Sequence, residues 1–212
     1  AYRYARGEAI DHISGAKIQM QGPPLDFMAL TEHGTYMGVS ASLGDPDHPV
    51  SKIPLVQDLQ SPDPDVSGPA LGSFLAALST GVAIRELVGD DVVMPTWQRI
   101  AELANRNDAP GEFTSFVAYE YTSMPDGQNL HRNVIFRNEI VPELPISSLE
   151  TPRETDLRHQ LVDLCNDTGS GCEAIAIPHN PNLSNGQMFV VEYADLPLER
   201  QREEAALRAR LE

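Results

Sequence analysis

The sequence predicts an α/β protein with a barrel-like layout. Two short, nearly continuous apolar runs, at 25–30 and 173–178, are typical of strands that are buried on both faces in α/β proteins. Helical segments outnumber these strands, but the polar residues that could bind a metal or catalyse a reaction follow the strands. In α/β folds, ligands and catalytic residues gather beyond the carboxyl ends of the strands. We therefore expect the functional residues at that edge.

Helices are expected at five places in the chain: 1–8, 69–88 in one or two pieces with a break near Gly81, 95–106, 153–166 and 192–211. In the third of these, Pro95 suits the first helical turn. The intervening segment 40–68 is dense in Asp and Pro and predicts a loop-like insertion, as found in functional lids and caps. The chain is predicted to be a single domain over 1–212 with that insertion.

The segment from Ser115 to Arg137 predicts two strands joined by a polar turn. Both flanks are rich in β-branched and aromatic residues, and the sequence MPDGQN between them favours a reversal. In such a hairpin, Glu120 and His131 project toward the same place although eleven positions separate them. A carboxylate and an imidazole that converge can bind a divalent metal. The alternative is that the two side chains never meet.

Two other strand ends carry similar residues. The run at 25–30 is followed by Glu32 and His33, and the run at 173–178 is followed by His179 and Asn180. Three strand ends would thus each deliver an imidazole to one edge. Core packing does not readily account for such a convergence, so the pattern favours a metal site.

Composition excludes several functions. The net charge of −16 and isoelectric point near 4.6 would repel a phosphate backbone and an anionic membrane surface, and no basic cluster offsets them. No apolar run approaches the ~20 residues of a membrane span. We therefore expect a small-molecule substrate, no nucleic acid and no membrane partner.

Cys165 and Cys172 flank a loop that contains two glycines. A local disulfide would suit an exported protein, whereas two free thiols would suit a cytoplasmic one. The sequence slightly favours the disulfide and leaves the localisation undetermined.

The strings TEHG, AYEYTSMPDGQNLHRNVIFRN and AIPHNPNLSNGQMF resemble the PHP (polymerase and histidinol phosphatase) metallohydrolase superfamily. The resemblance is to a branch that carries the label domain of unknown function 3604, and it covers most of the chain. It implies a distorted (β/α)7 barrel, similar to a TIM barrel, with two or three divalent metal ions at its strand ends.

The resemblance also implies roles for individual residues. His33 matches the histidine of a Thr-Asp-His motif, with Glu32 where Asp is usual, and Glu120 matches a bridging carboxylate. The implied metal ligands are His33, Glu120, His131 and His179, and the candidate catalytic residues are Glu120 and Glu32. Imidazole ligands favour Zn, Mn or Fe over Mg or Ca.

The sequence departs from the superfamily in two places. The superfamily's opening His-x-His strand and closing Asp-x-His strand have no counterpart here, and both chain ends look like interrupted helices. We therefore expect a central fragment of a longer enzyme. Open strand edges at 25–30 or 173–178 would then favour self-association or packing against flanking segments, and the fragment alone would catalyse poorly.

These observations predict a metal-dependent hydrolase that cleaves phosphoester or related ester bonds with a metal-activated water. Arg132 could clamp a phosphate oxygen, or could instead form a salt bridge with a carboxylate. Asn133 and Asn180 could bind substrate, although asparagines in loops usually serve their own backbone. The alternative function is a non-catalytic metal-binding or structural module that retains the barrel.

Overall fold

A computed structural model describes residues 1–43, 45–80, 82–191 and 193–212. Seven α-helices occur in this part of the chain: α1 (Tyr2–Ala5), α2 (Val39–Ser42), α3 (Pro54–Leu59), α4 (Pro64–Thr80), α5 (Asp90–Asn107), α6 (Glu154–Leu161) and α7 (Leu198–Leu211). A π-helical turn, Val162–Asn166, continues α6. Short 3-10 turns occupy Pro49–Lys52, Arg85–Leu87, Pro125–Gly127 and Gln187–Phe189.

The described residues form seven strands: β1 (Ile10–Asp11), β2 (Lys17–Ile18), β3 (Phe27–Ala29), β4 (Thr114–Phe116), β5 (Ala118–Tyr121), β6 (Arg132–Phe136) and β7 (Ala174–Pro178). Strands β1 and β2 make an isolated antiparallel pair, β3 pairs in parallel with β4, and β5, β6 and β7 form an antiparallel sheet in that order. A parallel bridge between His33 and Glu120 extends the β3–β4 pairing as far as β5.

The prediction of a barrel-like, distorted (β/α)7 fold is wrong. The described strands form small sheets of two or three strands and do not close into a barrel. A (β/α) barrel needs consecutive parallel strands joined by crossover helices. In this protein β6 instead pairs antiparallel with both β5 and β7. The apolar runs were misread because a strand covered on one face can carry apolar residues on its open face as well.

The predicted hairpin within 115–137 is confirmed, because β5 and β6 pair with Glu120 opposite Asn133. The apolar run at 173–178 is confirmed as a strand, but its expected burial on both faces is not: Ile175 and Ile177 remain 43% and 40% exposed. Phe27 of β3 is also exposed, at 64%. This open apolar face is compatible with the expected self-association, which stays a prediction.

The opposite face of the sheet is the main core. Alternate residues along the strands point into it, as the period of two in a strand requires. Helices α5, α6 and α7 contribute apolar residues, and Trp97 donates a hydrogen bond from Nε1 to the carbonyl oxygen of Pro142 at 2.9 Å. The buried members on the strands are Tyr119, Tyr121, Val134, Phe136, Ala174 and Ala176.

The segment 40–68 is helical rather than loop-like, which corrects the prediction. It contains most of α2, the Pro49–Lys52 turn, α3 and the start of α4. Its apolar side chains Val50 and Val56 are fully buried in a second cluster with Tyr36, Val39, Leu87 and Val92. Proline was misleading here, because Pro54 and Pro64 begin helices, where the missing amide proton costs nothing.

Three further expectations concern helices. The predicted helix 95–106 is the later part of α5, so Pro95 lies inside the helix rather than in its first turn. The predicted break at Gly81 and the predicted start at Glu192 both fall on residues outside the described ranges. No helix in the described part of the chain has the length and apolar character that crossing a membrane requires.

Candidate metal centre

The four candidate ligands converge at one end of the sheet. Glu120 of β5 lies opposite Asn133 of β6, and His131 lies two residues before Asn133. Because side chains alternate along a strand, Glu120 and His131 are on the same face. His179 follows β7 directly and donates its backbone N–H to the carbonyl oxygen of His131 at 3.0 Å. Antiparallel pairing therefore brings together residues that are far apart in sequence.

His33 reaches the same place from β3. The backbone N–H of Glu120 donates to the carbonyl oxygen of Glu32, and that of Gly34 donates to the carbonyl oxygen of Glu120, at 2.8 and 2.7 Å. A Cβ at position 34 would lie 3.0 Å from both that oxygen and the Tyr119 ring. Glycine thus permits the close approach that sets His33 beside Glu120.

The Glu120 carboxylate is surrounded by three imidazoles. Its Oε1 lies 2.6 Å from Nδ1 of His131 and 3.4 Å from Nδ1 of His179, and its Oε2 lies 3.1 Å from Nδ1 of His33. The Glu120 and His131 side chains are only 7% and 12% exposed, whereas that of His33 is 66% exposed. The His33 side chain therefore forms the solvent-facing side of the cluster.

The arrangement of atoms fits a divalent cation. Glu120, His131 and His179 each offer one ligand atom, and these atoms lie within 4.8 Å of one another. Buried Oε1 of Glu120, Nε2 of His131 and Oδ1 of Asn133 have no hydrogen-bond partner among the described residues. The short Glu120–His131 contact has the distance of an ion pair but not the alignment of a hydrogen bond. Unsatisfied buried polar atoms of this kind call for a bound ion or water.

The electrostatics also favour a cation. Burial raises the pKa of Glu120, but close contact with His131 and electrostatic interaction with His33, His131 and His179 lower it by more, so the pKa lies below its ordinary value. The carboxylate is therefore ionised at neutral pH. An ionised carboxylate beside imidazoles is a donor set that suits zinc and other transition metals.

Thr122 belongs to this site, although the sequence did not single it out. Its Oγ1 lies 2.9 Å from Nδ1 of His33, and Thr35 donates a hydrogen bond to the Thr122 carbonyl oxygen. The available signal was the period of two in a strand, since Thr122 lies two residues after Glu120 and thus on the same face. A hydrogen bond of this kind can fix the orientation of a ligating imidazole.

Arg132 does not face the site. It is 1% exposed on the core side of the sheet, with Glu212 Oε1 3.3 Å from its Nε and the Met188 carbonyl oxygen 3.3 Å from its Nη2. Arg158 also binds Oε1 of Glu212, at 2.9 Å. Arg132 therefore forms the salt bridge that was the alternative to substrate binding, and its buried guanidinium is engaged in the core.

The remaining predicted site residues are Asn133, Asn180 and Glu32. Asn133 lies opposite Glu120 on the site face, and the side chain of Asn180 lies 3.0 Å from Nδ1 of His179. Glu32 is exposed and lines the cavity beside the site, but it is not among the residues that contact the Glu120 carboxylate. The structure therefore brings the two asparagines to the cluster and leaves Glu32 at its periphery.

A cavity of about 670 Å³ adjoins the cluster. His33, His131, Thr122 and Glu32 line its polar end, and helices α4 and α5 supply apolar side chains to its other wall. A second cavity, also of about 670 Å³, lies on the open apolar sheet face, but none of the four candidate ligands lines it. The first cavity is therefore the one positioned to hold a molecule that reacts at the cluster.

The fold and site together define a mixed α/β protein with a carboxylate–histidine cluster at one end of its sheet. The chain belongs to the family described as Protein of unknown function (DUF3604), whose profile matches residues 1–212. This confirms the predicted branch, whereas the predicted link to the PHP superfamily is not shown. No curated protein and no solved structure matches the sequence.

Proposed function

We propose that this protein is a metal-dependent hydrolase that cleaves phosphoester or related ester bonds of a small-molecule substrate. The observation that carries the proposal is the Glu120 carboxylate, 6% exposed, with imidazoles of His33, His131 and His179 all within 3.4 Å. Buried ionisable groups that converge beside a cavity are candidates for a functional site. Membership of the PHP superfamily remains part of this proposal, supported by the sequence strings quoted above.

Each residue of the cluster has a role in the proposal. Glu120, His131 and His179 hold a divalent ion, for which Zn, Mn or Fe are suited, and His33 offers a fourth position on the solvent side. Such an ion, when bound, lowers the pKa of a coordinated water toward neutrality. Two or three ions, as the resemblance implies, would need ligands in addition to these.

Other side chains act around the cluster. Thr122 orients His33 through its Oγ1, and Asn180 orients His179. Asn133 presents an unpartnered Oδ1 beside Glu120, where it could accept a hydrogen bond from the water or substrate. Glu32, at the cavity wall, is the remaining carboxylate available to accept a proton from the substrate side.

The second candidate function is a non-catalytic metal site that stabilises the sheet. One observation favours this function. Among the described residues, the cluster of Glu120, His131 and His179 contains a single carboxylate and joins β5, β6 and β7 at their ends. A single ion held by residues from separate strands would contribute directly to folding free energy. In that case, metal would raise stability without supporting turnover.

Metal titration and turnover together test the proposal. We expect Zn²⁺ or Mn²⁺ to bind the chelator-treated protein in calorimetry, and the loaded protein to hydrolyse p-nitrophenyl phosphate or p-nitrophenyl acetate at a low, metal-dependent rate. His131→Asn and His179→Asn should each weaken binding by about tenfold or more, and His33→Asn by less, because its side chain is more exposed.

His12→Asn is the matched control, since His12 is exposed and hydrogen-bonds only locally to Ser14. It should leave metal affinity unchanged. If metal binds and raises the melting temperature but neither ester is hydrolysed, the structural function is favoured over the hydrolase. If neither Zn²⁺ nor Mn²⁺ binds the wild-type protein, both candidate functions are excluded.

A further inference from the structure

The cavity beside the metal centre has a marked division between its polar and apolar walls. Thr122 contacts both His33 and Thr35, and the His33 ring lies 6.3 Å from that of His131, so these four polar lining residues lie together. Glu32 also lines the cavity and precedes His33 in the chain. The rest of the lining is largely apolar: Tyr36, Met37, Gly38, Phe74, Ile100 and Met124, with Thr96 as the exception. A ligand that reached the cluster would thus place the remainder of its structure against apolar side chains.

The apolar wall draws on both core clusters: Tyr36 and Phe74 belong to the second cluster, whereas Met37 and Ile100 pack in the main core. The Tyr36 ring packs against Phe74 with ring centroids 5.3 Å apart, and the Tyr36 hydroxyl accepts a hydrogen bond from the backbone N–H of Ile84 at 3.0 Å. Tyr36 and Met37 are 7% and 3% exposed, so these two side chains are held by packing.

The charge of the lining restricts the ligand further. Among the described residues that line the cavity there is no Lys or Arg, and Glu32 is the one acidic residue. A second phosphate, as in a nucleotide polyphosphate, would find no cation away from the cluster and would lie near a carboxylate. Sugar hydroxyls would lose water to an apolar wall without gaining partners.

We propose that this cavity selects esters whose organic group is apolar and uncharged, such as an aryl or branched alkyl group. The inference rests on the proposed function, because it takes the cluster as the place where the ester oxygen atoms bind. The apolar group lies between Phe74, Ile100 and Met124, and the ester faces His33 and His131. Burial of the apolar group supplies the selectivity.

Binding of two phosphonates measures this selectivity without turnover. Zn²⁺-loaded protein is titrated with phenylphosphonate and methylphosphonate, which share the anionic group and differ in the apolar substituent. Burying a phenyl ring rather than a methyl group predicts at least about tenfold tighter binding of phenylphosphonate. Glycerol phosphate, with a polar substituent, should bind no more tightly than methylphosphonate.

A pair of variants on α4 tests the location. Phe74→Lys places a charge in the apolar wall and should reduce the preference for phenylphosphonate to less than about threefold. Leu75→Lys makes the same substitution at the next position, where the side chain is 52% exposed and does not line the cavity, and should keep the preference. Circular dichroism checks that both variants fold.

A metal-independent measurement separates this inference from the proposed function. In chelator-treated protein with ¹³C-labelled methionine methyl groups, phenol should shift the signals of Met37 and Met124, which line the cavity, but not that of Met20. If no ester is hydrolysed yet phenol shifts both signals, the hydrolase proposal fails and the apolar site stands. Equal affinities for the two phosphonates, or unchanged Met37 and Met124 signals, would overturn the inference.

Discussion

Oε1 of Glu120 lies 2.6 Å from Nδ1 of His131, although the two residues are eleven positions apart in the sequence. The contact exists because the β5–β6 hairpin sets Glu120 opposite Asn133, two residues from His131 and on the same face. Both side chains are nearly inaccessible to solvent, so the imidazole and the carboxylate depend on each other, or on a shared cation, for electrostatic compensation.

Glu120→Gln should remove the metal-binding capacity of the cluster while preserving its shape. Glutamine has nearly the same volume but no negative charge, so we expect affinity for Zn²⁺ to fall by about tenfold or more. Isothermal titration calorimetry on chelator-treated protein measures the change. Glu143→Gln, which alters an exposed carboxylate elsewhere, should bind Zn²⁺ like the wild type; equal loss in both variants would indicate a nonspecific charge effect.

The pKa of Glu120 predicts how stability depends on pH in the metal-free protein. Because the folded state lowers this pKa, the ionised carboxylate contributes free energy of unfolding above the ordinary glutamate value of about 4.3. That contribution is lost as the pH falls through the lowered pKa. The free energy of unfolding of the wild type, minus that of Glu120→Gln, should therefore be larger at pH 6 than at pH 3. Urea unfolding at the two pH values measures it. A difference independent of pH would contradict the prediction.

Glu212→Gln should destabilise the protein through the buried guanidinium groups of Arg132 and Arg158. Their side chains are 1% and 2% exposed, and Oε1 of Glu212 is within 3.3 Å of both. Removing its charge leaves the two arginines poorly compensated, which should lower the free energy of unfolding by about 3 kcal/mol. Urea denaturation measures it.

Glu203→Gln is the control for that measurement. Glu203 pairs with Arg200 at 2.6 Å, but both side chains are more than half exposed, so the loss should stay below about 0.5 kcal/mol. Similar losses in the two variants would mean that the buried ion pairs of Glu212 contribute no more to stability than the exposed pair of Glu203.

The disulfide between Cys165 and Cys172 confirms the favoured pairing, with Cα atoms 4.9 Å apart. Replacing both cysteines with alanine should lower the free energy of unfolding by about 2 kcal/mol, because a short closed loop restricts the unfolded chain. Zn²⁺ affinity should change by less than about twofold, since the bridge precedes the start of β7 whereas His179 follows its end. Calorimetric melting and metal titration measure the two effects separately.

Local pattern was sufficient for the strands near the site. The β-branched and aromatic flanks of MPDGQN identified the hairpin, and the apolar runs before His33 and His179 coincide with β3 and β7. The prediction failed where proline was taken as a sign of a loop, since Pro54 and Pro64 begin helices. The relative direction of the strands could not be predicted from local sequence either, because pairing partners distant in sequence determine whether strands run parallel or antiparallel.

The sequence by itself determined which residues could form a site: four possible ligands, each at or near a strand end, and two cysteines close enough to pair. The tertiary structure alone decided that Glu120 lies among three imidazoles, that Arg132 faces Glu212 in the core, and that a largely apolar cavity adjoins His33. The physical reason is that a side chain's face depends on strand register and on which face the helices cover. Both are set by long-range packing, which the residues of one segment do not encode.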